Sequence, residues 1–523
     1  MTAPAHETVD VVVVGGGGAG LAAAIEAARF GRDVVLLEKN PTLGGTTIRS
    51  VGSITASCTP QQRALGIKDD PQAHFEDMAL FADNRGLADQ DNLELRRLLA
   101  EHSPDMVEWL MQMGVVFLDA MPEPPHRVPR MHNVLPHARS YIQHLSRRAR
   151  QLGVQIRCGA QVESLLRENA RVVGVALSAG GARITARRGV ILATGDYSAS
   201  AEIKSLFVPA EIAAVEGINP TSTGDGQALV REAGGVIVNG AVMSGPELRF
   251  VAPPAGNLFE RIPPARPIAL AIRWCMRHLP GWMLRPVLMN FVTTNLAPSP
   301  ALFKHGAILV NQQGQRFVDE RDAPERAVPR QTGRNAFILM DQQIAETFSA
   351  WPNFISTAPG VAYAYLADYR RNRRDIYHEA PTIAGLAAKL GVPADALERT
   401  VAEYNAQLAD GMKPLRSAPF CALGPVRSWV VFTDGGARIS TRCEVLDAAG
   451  APIGGLYAVG SAGQGGVLLE GHGHHLGWAF VSGRIAGRAA ALGADPWPDA
   501  ALAARRATGQ PRLTATAPQL SSG

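Results

Sequence analysis

The sequence predicts an α/β fold built on a Rossmann-like unit, and three observations near its start predict it. Val11–Val14 is an unbroken β-branched run, as a buried parallel strand requires. Gly15-x-Gly17-x-x-Gly20 then opens an Ala- and Leu-rich helical stretch, Ala19–Arg29, which Gly31 ends. Asp33–Leu37 is a second strand, and it closes on Glu38. Together these make a βαβ unit of about 30 residues with an acid about 20 positions beyond the glycines.

Each element has a physical task. Gly15 allows the tight turn, Gly17 lets the backbone approach a pyrophosphate, and Gly20 permits close helix–strand packing. Gly18 and Ala19 lie at the helix N-terminus, whose free N–H groups and partial positive charge suit phosphate. Glu38, followed by Lys39, can accept hydrogen bonds from a ribose diol.

The rest of the composition excludes several classes. A chain of 523 residues suits two domains, or one large domain with an insertion. A hydrophobic fraction of 46% and a charged fraction of 19% argue for a globular protein and against disorder or coiled coil. A net charge of +4 gives no case for nucleic acid as a partner. The five cysteines have no C-x-x-C spacing, so neither a disulfide framework nor a zinc site is expected. The apolar run Val9–Val14 is too short for a signal peptide, and no stretch of about 18 apolar residues would span a bilayer, so a cytoplasmic location is the expectation.

Residues 38–47 read EKNPTLGGTT, with Gly44 and Gly45 followed by Thr46 and Thr47. Here the sequence resembles the FAD-dependent oxidoreductases that include soluble fumarate reductases and 3-ketosteroid dehydrogenases. The resemblance extends along nearly the whole chain. It covers Val162 in GAQVESL, Ala193-Thr194-Gly195 in RGVILATGDY, Asp225 in NPTSTGDG, and ILVNQQGQRFVDE at 308–320. It resumes in TDGGARI at 433–439, in GLYAVGS with Gly460, and in the closing stretch GWAFVSGRIAGRAAA. It implies FAD as cofactor, and a Rossmann-like FAD-binding domain (1–245 and 415–495) carrying an inserted α+β substrate-capping domain (246–414). The tail 496–523, rich in Pro, Ala, Thr and Ser, is predicted to be flexible. The last helix, near Leu476 and Gly477, would direct its N-terminus at the flavin pyrimidine edge. Residues 46–57 hold no His of the kind that attaches flavin covalently in succinate dehydrogenases, so non-covalent FAD is expected. No C-x-x-C-H haem motif occurs, so a separate electron acceptor or donor is implied.

The resemblance also implies the chemistry: hydride exchange between flavin N5 and a carbon beside a carbonyl or carboxylate, with a side chain moving the proton. The family's proton-handling position falls a few residues after Asp319-Glu320, close to Glu325 and Arg326. In the C-terminal loop this chain has Phe432 where fumarate reductases carry His, and no substrate-clamping Arg follows Gly465-Gly466-Val467. The Tyr of ketosteroid Δ1-dehydrogenases is also missing between Gly460 and Gly483. Glu470, His472, His474 and His475 stand there instead, and imidazole suits proton transfer near neutrality. Tyr363 and Tyr365 are alternative acids, and the loop PPHRVPRMHN carries His126 and His132 without a placement. No metal is expected, because His-x-His-His lacks a matching carboxylate pattern.

Within the cap, no Asp or Glu occurs from Arg261 to Val318. Residues 262–292 mix large apolar side chains with Arg273, Arg277, His278 and Arg285, and Pro280-Gly281 divides them. Two readings stay open: a helix pair on its own core, or a basic amphipathic surface making peripheral membrane contact beside an apolar substrate entrance. The leading expectation is an oxidoreductase acting on the C–C bond beside the carbonyl of a small apolar substrate, 3-ketosteroid-like or an alicyclic ketone. The alternatives are a fumarate- or tricarballylate-type carboxylate enzyme, and a non-catalytic flavin-binding scaffold.

Overall fold

The computed structural model describes residues 6–493 except 179, 254–260, 282, 286–288, 290–292, 294, 295, 359–361 and 409–411. The tail 496–523 and residues 282, 286–288 and 290–292 of the stretch 262–292 therefore lie outside the described residues.

The main sheet grows from β1 (His6–Val14), whose Val11–Val13 are fully buried. It pairs in parallel with β2 (Val34–Glu38) on one side and β6 (Arg183–Leu192) on the other. β2 continues to β3 (Gln155–Cys158), also parallel. Beyond β6 come β13 (Pro452–Ala458), parallel, and β12 (Glu444–Leu446), antiparallel to β13. A hairpin of β4 (Val162–Glu168) and β5 (Arg171–Leu177) attaches antiparallel to β6. The predicted Rossmann-like core is thus present, with both chain ends contributing strands to one sheet.

Helix α1 (Gly18–Arg29) packs against the closing helix α6 (His474–Leu492). Small residues allow the approach: a Cβ on Gly483 would stand 2.4 Å from the Ala19 carbonyl oxygen, and one on Gly487 2.3 Å from that of Ala23. Two further helices matter for the site, α2 (Pro71–Asn84) and α3 (Leu93–Gln112).

The cap is a five-stranded antiparallel sheet with helices. Its strands are β7 (Glu247–Phe250), β8 (Ile308–Val310), β9 (Ala336–Met340), β10 (Tyr377–Ala380) and β11 (Phe420–Trp429), in the order β7-β11-β9-β8 with β10 also on β11. The return to the flavin domain comes later than the expected residue 415. β11 belongs to the cap sheet, and the cap's own hydrophobic core runs from Leu248 to Val426 while the flavin-domain core resumes at Ala437. The hydrophobic strand 420–429 satisfies either domain equally well, and only its pairing decides.

Helix α4 (Arg266–His278) does not pack on the cap core. It buries Ala269 against Val116 and Leu135 of a small flavin-domain sheet, and leaves Leu270 38% and Trp274 58% exposed. Arg277 pairs with Asp119. Among the described residues no helix is long and apolar enough to cross a membrane.

Candidate active site

The glycine turn is locked by its neighbours. Gly15 has φ +110°, and a Cβ there would stand 2.3 Å from the Ala193 carbonyl oxygen. A Cβ on Gly20 would fall 1.9 Å from that of Gly15. Gly17 differs: a Cβ there meets no protein atom nearer than 3.8 Å, and at Gly45 and Gly195 nothing lies within 4 Å. Protein packing thus leaves open the surface beside Gly17, Gly45 and Gly195, where a phosphate-bearing ligand could be received.

Polar groups surround that space. Buried Glu38 accepts from the Gly16 N–H at 2.7 Å and from Asn40 at 2.8 and 2.7 Å, and a carboxylate's remaining lone pairs suit a ribose. Gly18 N–H donates to Thr47 Oγ1 at 3.0 Å, and Gly44 N–H to the Gly16 carbonyl at 3.0 Å, laying the 44–47 loop along the start of α1. Lys39 bonds to Asp225 at 3.0 Å, and Asn219 donates to Thr46 Oγ1 at 2.8 Å, so residues 219–225 close the other side. Gly159 and Ala160 bond to the Asn40 and Glu38 carbonyls and carry the chain to Val162. Thr194 Oγ1 is buried without a partner. Gly460 N–H donates to Ser482 Oγ at 2.9 Å, fixing the 460 turn on α6, and Leu476 is half-buried in the first turn of that helix. Open surface, an orphaned hydroxyl and a helix N-terminus fit FAD.

Residues 464–475 run from the 460 turn into α6 and carry the reactive side chains. His475 Nε2 lies 2.9 Å from Asp434 Oδ1, which also accepts from Gln464 Nε2 at 2.7 Å. Asp434 is buried, and its Oδ2 has no partner. The Phe432 ring packs 4.1 Å from His475, centroid to centroid. His472 forms a second such pair: its backbone N–H and its Nδ1 meet Glu123 Oε1 at 2.7 and 2.5 Å. The hydrogen bond to Glu123 holds the His472 pKa above the ordinary imidazole range, against burial and Arg249. Glu470 pairs with Arg85, which also donates to the Met243 carbonyl at 3.1 Å. Burial raises the Glu470 pKa, with Arg85 opposing.

His474 turns elsewhere. Its Nδ1 meets the Glu470 carbonyl at 2.5 Å, and its ring joins His74 and His126 in a buried cluster. Burial pushes its pKa down to about 4. His132 stands apart, 2.8 Å from Thr59 Oγ1. Glu123, Asp434, Arg85 and His74 had no assigned role from sequence. Of these only Asp434 carried a signal, its place in T-D-G-G beside Phe432.

The cap residues are less engaged. Glu325 and Arg326 sit on the short helix α5 (Pro324–Ala327), which packs against β7 and β11; Arg326 is exposed and no bond joins it to Asp322. Tyr363 lies in an aromatic group with Trp351 and Phe354, at centroid distances of 5.0 and 5.1 Å, not with the histidine loop. Tyr365 starts the helix Leu366–Asn372.

A family model described as an FAD binding domain matches residues 10–252 and 284–469. The fumarate reductase (cytochrome) of Shewanella frigidimarina is 29% identical over 511 residues, spanning 93% of this chain and 77% of the relative. The 4-oxocyclohexanecarboxylate 2-dehydrogenase of Sinomonas cyclohexanicum is 26% identical over 604 residues, 96% of each. The solved open conformation of a flavocytochrome c3 fumarate reductase superposes with a TM-score of 0.69 at 26% identity, covering 93% of this chain and 78% of that one. The chain therefore belongs to the FAD-dependent oxidoreductases acting on carbon–carbon bonds, the family of the fumarate reductases and 3-ketosteroid dehydrogenases.

Proposed function

We propose that this enzyme interconverts C–C and C=C bonds beside the carbonyl of an apolar substrate, an alicyclic ketone or a 3-ketosteroid. One observation carries this reading: the site loop presents two imidazoles, each backed by a buried carboxylate, while the nearby guanidiniums are engaged, Arg85 by Glu470 and Arg249 by Glu247. A dicarboxylate would need free cations, whereas a ketone needs a hydrogen-bond donor at its oxygen and a proton carrier at carbon. The relative that acts on 4-oxocyclohexanecarboxylate, a ring ketone, supports the same choice.

FAD, held non-covalently by the cradle, supplies hydride exchange at N5. Asp434 fixes His475 Nε2–H and leaves Nδ1 to take or give the proton at the substrate carbon. Glu123 holds His472 Nδ1–H and favours the imidazolium, whose Nε2–H is then the donor for the carbonyl oxygen. Val467, Leu468 and Leu469, all buried, anchor the loop. Electrons pass to or from a separate carrier, and the basic, partly apolar face of α4 is where peripheral membrane contact would occur. A turnover panel with artificial electron carriers tests the reading: ring ketones or ketosteroids are converted, whereas conversion of fumarate or tricarballylate alone would overturn it. That second reading is favoured by the fumarate reductase relative and by Arg249 near His472.

A further inference from the structure

Behind the loop, three segments far apart in sequence place imidazoles together: His74 on α2, His126 on the loop before residue 131, and His474 in the first turn of α6. One ring nitrogen of each lies within 4.8 Å of the other two, and all three residues are buried. His74 Nε2 and His474 Nε2 are 3.3 Å apart. That is about the edge of a tetrahedron with metal–nitrogen bonds of about 2.0–2.1 Å. His126 Nε2 is buried without any partner. Packing alone gives no reason to bury three imidazoles and leave one nitrogen unsatisfied.

We propose that His74, His126 and His474 form a binding site for a borderline divalent cation of the zinc type, with water as the remaining ligand. For His74 and His474 the other nitrogen has an acceptor, the arrangement that orients a ligating histidine. His474 Nδ1 faces the Glu470 carbonyl, and His74 Nδ1 lies 3.5 Å from Ser103 Oγ. His126 Nδ1 is 3.1 Å from Arg130 Nη1 and 3.9 Å from Asp77 Oδ2. His126 Nδ1 accepts from Arg130 in the metal-free site, so on binding Arg130 releases the ring while keeping its bonds to Asp77 and Asp69, and the proton displaced from Nε2 passes to Nδ1 on the Asp77 side. Arg130 stays held by Asp69, which it meets at 2.6 and 2.8 Å, so its charge remains compensated. The ion would tie α2 and the 123–130 loop to the start of α6. Glu123 and His475, members of the two catalytic pairs, lie three and one residues from its ligands. The site stands independently of which substrate the enzyme converts.

The test uses the flavin-loaded protein, stripped with a chelator and titrated with Zn2+ and with Co2+. We expect about one equivalent bound per chain, a rise in Tm, and Co2+ ligand-field absorption of tetrahedral intensity. His126→Gln and His74→Gln should each weaken binding at least about tenfold with flavin content retained. Binding weaker than millimolar in the parent protein would overturn the proposal, as would unchanged Co2+ spectra in folded, flavin-loaded His126→Gln. The parent titration decides even if a variant fails to fold.

Discussion

A histidine with one nitrogen held by a buried carboxylate releases its proton at a fixed place, and this site holds two of them. For His475→Asn we expect kcat to fall about 10²–10⁴-fold with FAD content unchanged, and Asp434→Asn to lose less; equal turnover by the His475 variant at full flavin loading contradicts the assignment. Lys204 gives a separate pH prediction. It is fully buried, donates to the Val215 carbonyl, and burial pushes its pKa from 10.5 down to about 8. Below pH 8 the ammonium is charged both folded and unfolded. Between about 8 and 10.5 only the unfolded chain keeps the proton, so stability rises with pH there, by up to about 3 kcal/mol. Denaturation of the parent and Lys204→Met across that range measures it, and the variant should lack the rise. The histidines themselves were legible in the sequence, since few glycine-rich loops carry three. Their carboxylates were not: Glu123 precedes His472 by 349 residues, and nothing local announces the pairing.

At the scale of elements, the flavin cradle depends on how closely α6 approaches α1. Gly483→Val places side-chain carbons against the Ala19 carbonyl, and overpacking of this kind costs about 1–3 kcal/mol. Tm and bound FAD should fall together, and a variant with parental values would show that the two helices have slack. The opening βαβ unit was legible almost residue by residue because its strand, turn and acid are contiguous. The end of the cap was not, because β11 pairs with strands up to 182 residues away and its hydrophobic pattern fits either core. The basic, apolar composition of helix α4 was visible in the sequence, yet its docking on Val116 and Leu135 through Ala269 and Ile272, with Arg277 on Asp119, is a tertiary fact. If its exposed face meets anionic lipid, Leu270→Glu with Trp274→Glu should abolish co-sedimentation with phosphatidylglycerol vesicles while turnover of a soluble substrate persists. Equal sedimentation of both proteins would remove the membrane reading.

The whole molecule joins two hydrophobic cores, one drawn from both ends of the chain and one from its middle. The first carries the glycine turns, the helix N-terminus and Glu38 of the cofactor cradle, and the second is the core of the cap sheet. Residues from 15 to 47, 162, 193–225 and 460–476 converge only because both ends share one sheet, which explains why motifs so scattered could be recognised together. The histidine cluster behind them was invisible in the sequence, since its members are separated by 52 and 348 residues. The most direct measurement is the anaerobic absorption spectrum of the flavin-loaded protein during titration with saturated alicyclic ketones and 3-ketosteroids, and of the reduced protein with their unsaturated counterparts. The account predicts that the flavin band near about 450 nm bleaches with the former or returns with the latter. A band that responds to dithionite and fumarate but to none of these ketones would contradict it.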